Sequence, residues 1–533
     1  MTVGKKAVEW VKAFADEKIY KGKNIKQLLI YDGMSFWYFM ETIIHYAPHY
    51  FCSAKELMDM IERNQELEIP QDGLHKAATS RFLKKMGRYM LRRNYWRILG
   101  VKKGFPKANA DVLMFSHTKW SGGKETYVSK VIGAFKKKVC VVDILAGEGM
   151  GFGKLSHEVK NCGSPAYIPI EAFMDVGMIN RARKEAKKML SGWDAISQSK
   201  SLKQALTYKG ISLHPFLEPK IRFFIYPGGI ENIVMIEAVK RCIKEINPKV
   251  VMFFDVNNPN ERIICGVAKK LGIPVVGVQH GVMSCDVGYM HTQSDISPVN
   301  SALLPYCPIA DITAVSGKHY KDFLIREGKY KKEWVSVAGQ PLYDDLRIKS
   351  KSVNSDKSIL LVTQALPIAH ERVEFIENSL DALEGRKEQV IVKMHPLESD
   401  FDFYKNELSK RGIPGLVVRD ENILDLLETS ALMITISSTS AIEAAIVGTP
   451  VILVDFSKRD PYCADLVKGG GGLGVHTAEG LKKAIDAVLG DPKTRAMLAK
   501  KRRKFIFGHA YNIDGKASER IYALARQLGW LDG

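Results

Sequence analysis

The sequence lacks any apolar run approaching the length needed to cross a bilayer. Its start, Met1-Thr-Val-Gly-Lys-Lys-Ala, lacks the apolar core of a secretory signal. It also lacks a CxxC pair: the eight cysteines stand apart at 52, 140, 162, 242, 265, 285, 307 and 463. Several, such as Cys140 and Cys265, sit inside apolar runs. This reads as reduced, buried thiols of a cytoplasmic protein and supports neither a disulfide framework nor a zinc site. Acidic residues fall short of basic ones, 59 against 78, for a net charge of +19. That excess favours polyanionic partners, whether nucleic acid, an anionic membrane surface or phosphorylated substrates, and does not choose among them.

A composition of 46% hydrophobic and 26% charged residues is globular, and 533 residues are too many for one ordinary core. Two or three domains are expected. Residues 1–110 differ from the rest: a short helical start, a predicted strand at Asn24–Asp32, then the aromatic-rich helix start Met34-Ser-Phe-Trp-Tyr-Phe-Met40. From Arg81 to Lys103 there is no acidic residue. Arg81, Lys84, Lys85, Arg88 and Arg92 share one helical face; Phe82, Met86, Tyr89, Met90 and Trp96 fall largely on the other. Such a helix lies on an anionic bilayer or packs its apolar side on its own domain, and both readings stand. A nucleic-acid role ranks last, because no recognition motif accompanies the basic run.

From Asp111 a βαβ rhythm begins. Strands are predicted at Asp111–His117, Lys138–Leu145, Ile221–Ile225, Lys249–Asp255 and Pro274–Val278, with helices at Lys124–Phe135, Ile230–Ile246 and Asn260–Leu271. A second set follows, with strands at Ile312–Ser316, Ser358–Thr363, Gln389–Met394, Gly415–Arg419, Leu432–Ile436 and Pro450–Val454, and helices at Glu371–Leu383, Phe403–Arg411 and Ile423–Thr429. Alternating strands and helices imply mostly parallel sheets covered on both faces. The expected fold class is α/β, two Rossmann-like doubly wound domains facing a cleft beside the mainly helical N-terminal region. The boundaries read as 111–300, 301–510 and a C-terminal helix within 511–533 that packs back on the first domain.

In an open α/β sheet the ligand crevice lies at the carboxyl ends of the strands. Lys393-Met-His-Pro396 ends one predicted strand and Ser437-Ser-Thr-Ser440 another. A cation and a histidine on one loop, with hydroxyls at a helix N-terminus on the next, make a phosphate site, since unpaired N–H groups and the helix dipole favour an anion. The ligand expected there is a nucleotide carrying a sugar. Simple N-capping by the serine cluster is compatible with this, because a cap and an anion use the same N–H groups. Glu443, one turn further on, either accepts from ribose hydroxyls or complements the helix dipole. Gln279-His280-Gly281 closes a strand of the first domain at the same cleft, with Gly281 allowing close backbone approach. Ser121-Gly122-Gly123-Lys124-Glu125 follows the first strand and suits a phosphate or sugar, or is a tight βα turn. It is not a Walker loop, because the GxxxxGK spacing is absent.

Val278-Gln-His-Gly281, Lys393-Met-His-Pro396 and the run from Ser437 to Pro450, with Ala310–Tyr320 and Val337–Asp345, together resemble GT-B glycosyltransferases. The likeness is nearest to those of surface and capsular polysaccharide synthesis that carry "HP" and "SS" motifs, the sialyl-, polysialyl-, Kdo- and teichoic-acid-type group. The resemblance runs from about Asp111 to Leu528 and is densest after Val250. It implies a nucleotide-sugar donor, CMP-, CDP- or UDP-linked, held mainly by the C-terminal domain. It also implies a glycan or lipid-linked acceptor held mainly by the N-terminal domain, with no obligatory metal or other cofactor. By carry-over, Lys393 and His395 contact the donor phosphates or ribose, Pro396 fixes their turn, and Ser437, Ser438, Thr439 and Ser440 cradle phosphate. No DxD-like carboxylate pair clearly ends a cleft strand; Asp344-Asp345 follows the Gln340-Pro341 turn and is expected to cap a helix.

Inverting transfer needs a base for the acceptor hydroxyl. Asp255, Glu125, His117 and Glu148 are candidates, with Asp255 preferred because it ends the buried strand at Phe253-Phe254. His280 is placed to stabilise the leaving phosphate or meet the acceptor. The alternatives are a UDP-GlcNAc 2-epimerase-like enzyme, a CDP-polyol phosphotransferase of teichoic-acid type, and a nucleotide-binding scaffold. The expected location is the cytoplasm, at the inner face of the membrane if the basic helix docks there.

Overall fold

The computed structural model describes residues 3–45, 53–67, 87, 110–116, 128–135, 138–144, 166–255, 258–298, 305–346, 358–364, 369–396, 398–436, 438–456 and 464–528. The basic run Arg81–Lys103, the glycine loop 121–125, His117, Glu148 and Ser437 lie outside the described residues, Gly87 excepted.

Two all-parallel sheets dominate. The first holds β1 (Val112–Ser116), β2 (Val139–Asp143), β3 (Ala166–Pro169), β4 (Val250–Phe254), β5 (Val275–Val278), β6 (Ile312–Val315) and β7 (Val335–Val337), in the order β3-β2-β1-β4-β5-β6-β7. The second holds β8 (Ser358–Val362), β9 (Val390–Lys393), β10 (Gly415–Val418), β11 (Ser430–Thr435), β12 (Val451–Val454) and β13 (Leu473–Val475), in the order β10-β9-β8-β11-β12-β13. Each order runs outward one way from its first strand and then reverses. The switch points fall between β1 and β4 and between β8 and β11, where doubly wound sheets bind ligands. Strands such as Val-Val-Met-Phe-Phe in β4 are buried at every position, as parallel strands covered on both faces must be. The architecture is the expected GT-B pair of doubly wound units with a helical N-terminal region.

Three local readings are corrected. Ile221–Ile225 is the end of a helix, His214–Ile225, rather than a strand. Asn24–Asp32 is mostly not extended: Asn24 caps a short helix Ile25–Leu28, and only Ile30–Tyr31 pairs as strand. Ile312–Val315 pairs with Val275–Val278 and so belongs to the first sheet, whose last strand, Val335–Val337, follows it. The first unit therefore extends beyond residue 300. Ala166–Pro169, in a stretch with no clear period, supplies an edge strand.

The N-terminal helices Val3–Asp16, Trp37–His45 and Ala54–Glu62 share one continuous core with the helices of the first sheet. Trp37 and Phe39 are fully enclosed there, each contributing about 2–3 kcal/mol by area removed from water. The chain ends by returning. The helix Pro492–Ala510 starts in the second unit, with Leu498 in its core, and its last turn reaches the first, where Ser316 Oγ donates to the His509 carbonyl at 2.7 Å. Gly317 takes that contact: a β-carbon there would lie 2.1 Å from the Gly508 carbonyl oxygen. The helix Ala517–Gln527 then adds Ile521 and Ala525 to a core cluster that includes Val276 and Ala314 of the first sheet. Asp344 caps it from far away in sequence, accepting from Ala517 N (2.9 Å), Ser518 N (3.1 Å) and Ser518 Oγ (2.9 Å). The expected cap is thus real, but on a helix 173 residues away. Asp345 instead pairs with Lys130.

Candidate active site at the cleft between the units

The carboxyl ends of β4 and β5 and those of β9, β8 and β11 supply the candidate residues. Asp255 follows β4 directly, at the switch point of the first sheet. It is half-buried, its backbone N–H donates to Val278 at 2.9 Å, and its Oδ2 accepts from the Asn258 amide at 2.8 Å. Its φ of +96° is unusual for a residue with a β-carbon, and such strain concentrates where surrounding structure fixes a side chain for use.

One strand over, Gln279 is buried and its polar groups are spent on architecture. Its backbone N–H donates to Ala314, its Oε1 accepts from Ser316 N at 2.7 Å, and its amide donates to the Gly281 carbonyl at 2.6 Å. Gln340, from the turn after β7, donates to the His280 carbonyl at 3.2 Å. These two glutamines fix the loop that presents half-buried His280 and Gly281. A β-carbon on Gly281 would lie 4.0 Å from the Thr439 methyl, and Val282 packs on a core cluster of the second unit that contains Ile442. The loop after β5 therefore meets the start of the helix Ser440–Val447 across the cleft.

That helix follows β11 at the second switch point. Thr439 stands at the N-cap position without a side-chain cap. Ser438 Oγ accepts from Ser440 N at 3.2 Å, so the capping expected of the cluster falls to Ser438 alone among its described members. Glu443 is half-buried; burial raises its pKa above the usual carboxylate range, with the Ser440 hydroxyl acting in the opposite sense.

His395 presents from the loop after β9. Its backbone N–H is shared between Thr363 Oγ1 (3.0 Å) and Glu398 Oε2 (2.9 Å). The Thr363 hydroxyl donates to the same carboxylate oxygen, and the Tyr404 hydroxyl donates to the other at 2.6 Å. Glu398 is 7% exposed, and sequence reasoning missed it together with Thr363 and Tyr404. Its only signal is a carboxylate two residues past the His-Pro pair. Burial lowers the His395 pKa, opposed by Glu398 and assisted by Lys393. The ring is therefore neutral at pH 7, a hydrogen-bond donor rather than a cation. Pro396 is exposed at the turn. Lys393 is buried, and its ammonium donates to the Met394 carbonyl at 3.2 Å and to the Arg419 carbonyl, clamping the ends of β9 and β10. Burial lowers its pKa from the ordinary lysine value. A phosphate contact by Lys393 has to compete with those carbonyls. His395 and the Ser438–Ser440 segment stand at the ends of β9 and β11, on either side of β8, so about 10 Å separates the two loops.

Residues 329–475, a little over a quarter of the chain, match a family model described as "Putative glycosyltransferase (DUF6716)". That stretch holds His395, Glu398 and the serine cluster. No curated protein matches the chain. Among solved structures, a "putative UDP-N-acetylglucosamine 2-epimerase" from Listeria monocytogenes is 15% identical, with a TM-score of 0.48 over 78% of this chain and 95% of that one. A glycosyltransferase from Rickettsia africae is 14% identical at a TM-score of 0.46, over 78% of this chain and 98% of that one. MurG from Acinetobacter baumannii is 11% identical at a TM-score of 0.43, over 78% of this chain and 99% of that one.

Proposed function

We propose that this protein is a metal-independent glycosyltransferase that moves a sugar from a CMP-, CDP- or UDP-linked donor to a glycan or lipid-linked acceptor in surface-polysaccharide synthesis. The observation that carries this reading is the convergence of strand-end loops from both sheets on one cleft, the Gly281 loop against Thr439. The second unit binds the donor. N–H groups opening the helix Ser440–Val447 and the neutral His395 ring hold its phosphates, and Glu443 takes the ribose hydroxyls. The first unit binds the acceptor between Asp255 and the His280 loop. In an inverting transfer the acceptor oxygen attacks the anomeric carbon and its proton passes to Asp255. The bond from that carbon to the phosphate oxygen breaks, and its electron pair stays on the phosphate, where the helix N-terminus and His395 stabilise the charge. The match to a glycosyltransferase family over the donor-side residues supports the assignment.

Among the described residues no helix is long and apolar enough to cross a membrane. The basic run Arg81–Lys103 is proposed to bring the enzyme to an anionic membrane face, so vesicle binding rises with anionic lipid and falls with salt.

The direct test is a thermal-shift panel with CMP, CDP, UDP, UMP, GDP and ADP, with and without Mg²⁺. A ligand that binds only the folded state raises the melting temperature. The expected result is a metal-independent rise with one pyrimidine nucleotide, lost in His395→Ala. A flat response to every nucleotide would sink the donor assignment. Release of an altered sugar from donor alone, without acceptor, would replace transfer by epimerisation.

A further inference from the structure

Two groupings of metal-ligating side chains stand out among the described residues, and they differ in what already fills them. His291, Asp295 and Cys307 are buried together, but the two oxygens of Asp295 face the ammonium groups of Lys12 at 3.1 Å and Lys26 at 2.7 Å. That site holds its cations already. Among the described residues the ion pairs of His319, Asp465 and His509 are with one another, although the Lys468 charge also acts on Asp465. Each comes from a different part of the fold. His319 lies on the helix Lys318–Arg326 after β6 of the first unit, Asp465 on the helix Ala464–Lys468 of the second, and His509 in the last turn of the helix that crosses between them.

His319 Nε2 is 3.1 Å from Asp465 Oδ2, His509 Nε2 is 3.8 Å from the same oxygen, and the three donor atoms lie within 4.8 Å of one another. Donors around a tetrahedral zinc ion, with bonds near 2 Å, stand roughly 3.3 Å apart. One pair is close to that spacing and the other is about half an ångström outside it. His509 is oriented from behind: its Nδ1 is 3.0 Å from the Phe505 carbonyl, and its ring stacks on Phe505 with centroids 4.0 Å apart. Holding the ring through Nδ1 turns Nε2 towards Asp465, which is how metal-bound imidazoles are usually oriented. A cavity of about 20 Å³, walled opposite by Val282, Met283 and Ile442, adjoins the three side chains and has room for one water on a fourth coordination position.

We propose that His319, Asp465 and His509 bind one divalent transition-metal ion of the zinc type, which ties the two units together across the seam. Two imidazoles and one carboxylate select such an ion over magnesium or calcium, which prefer all-oxygen shells. The imidazoles of His319 and His509 now stack at 4.1 Å with planes 21° apart. Loading the ion tilts the His319 ring, which is about a third exposed, while His509 stays fixed against Phe505. The tie is distinct from the donor and acceptor residues and does not depend on the sugar-transfer reading.

The test uses the full chain, stripped with a chelator and dialysed against Zn²⁺. One equivalent of zinc per chain is expected by elemental analysis, with a raised melting temperature and, for Co²⁺ in its place, the visible absorption of a four-coordinate ion. His319→Gln and Asp465→Asn, at partly exposed positions, should each weaken zinc binding by more than about 100-fold, since even losing an outer-shell partner costs 10–100-fold. Failure to take up stoichiometric zinc overturns the proposal. So does zinc uptake unchanged in both variants, because the ion then sits elsewhere.

Discussion

In the first unit Lys12, Lys26, Glu41, Arg262 and Asp295 are each no more than 4% exposed and bond to one another: Lys12 to Glu41 and Asp295, Lys26 to Asp295, Arg262 to Glu41 at 2.7 Å. In the second unit the buried Glu398 enters no ion pair among the described residues; it accepts from two hydroxyls and a backbone N–H at the strand ends. The first network lies where the N-terminal helices join the sheet's own helices, and it serves attachment. The second lies beneath the candidate donor loop and sets the direction of that backbone. Buried charge is thus placed for stability in one unit and for aim in the other, so damage to the two should separate in measurement.

The largest expected effect is Asp295→Ala. Burial opposes ionisation of Asp295, but Lys12 and Lys26 overcome that and hold its pKa well below the ordinary range. Removing it leaves Lys12 with Glu41 and Lys26 with Asp16 as their remaining carboxylates, and breaking a buried pair costs about 3–5 kcal/mol. Denaturant unfolding should show the loss, with nucleotide affinity of the folded fraction unchanged.

Acid should reach the first unit next. Burial lowers the His45 pKa from 6.5 to about 4, with Asp286 opposing. A folded-state pKa below the unfolded one gives stability that is complete above pH 6.5 and is lost as pH falls towards 4. The loss should approach roughly 3 kcal/mol. The melting temperature measured across that window should fall, and His45→Gln should flatten the fall. A pH-independent melting temperature from 7 to 4.5 would contradict the burial argument.

Glu398→Gln should sharpen the contrast. It keeps the shape and loses a charged acceptor for three donors, at about 1–3 kcal/mol. Nucleotide-induced stabilisation should shrink out of proportion to that modest loss. If nucleotide binding is untouched, Glu398 does not aim the loop. The smallest expected effect is Asp344→Ala, which uncaps the helix Ala517–Gln527 and should cost about 1 kcal/mol in unfolding experiments.

Much of the architecture is legible in the sequence because buried parallel strands read as unbroken apolar runs, as at Val250–Phe254. Ile221–Ile225 carries the same kind of signature and is a helix, since a short apolar run has no period of its own to decide between the two. Sheet membership was not legible for Ile312–Val315: a strand between two long connections can pair with either unit, and only tertiary contact decides. The strand-end positions of His395, His280 and the serine cluster follow from the same runs. Their supports do not, because Thr363 and Glu398 meet across 35 residues of sequence and Ser316 and His509 across 193. Such pairings leave no local pattern.

The return of the chain to its first unit has a consequence for biosynthesis. Ile521 and Ala525 complete the cover over Val276 and Ala314, beside Val128 and Val131 of an earlier helix, so that part of the apolar face stays open while the entire second unit is being translated. Domains emerging from the ribosome ordinarily close in order; here the earliest unit is sealed last. A nascent chain stalled before residue 517 should therefore expose the apolar side of β5 and β6 to chaperones, even with the second unit already folded.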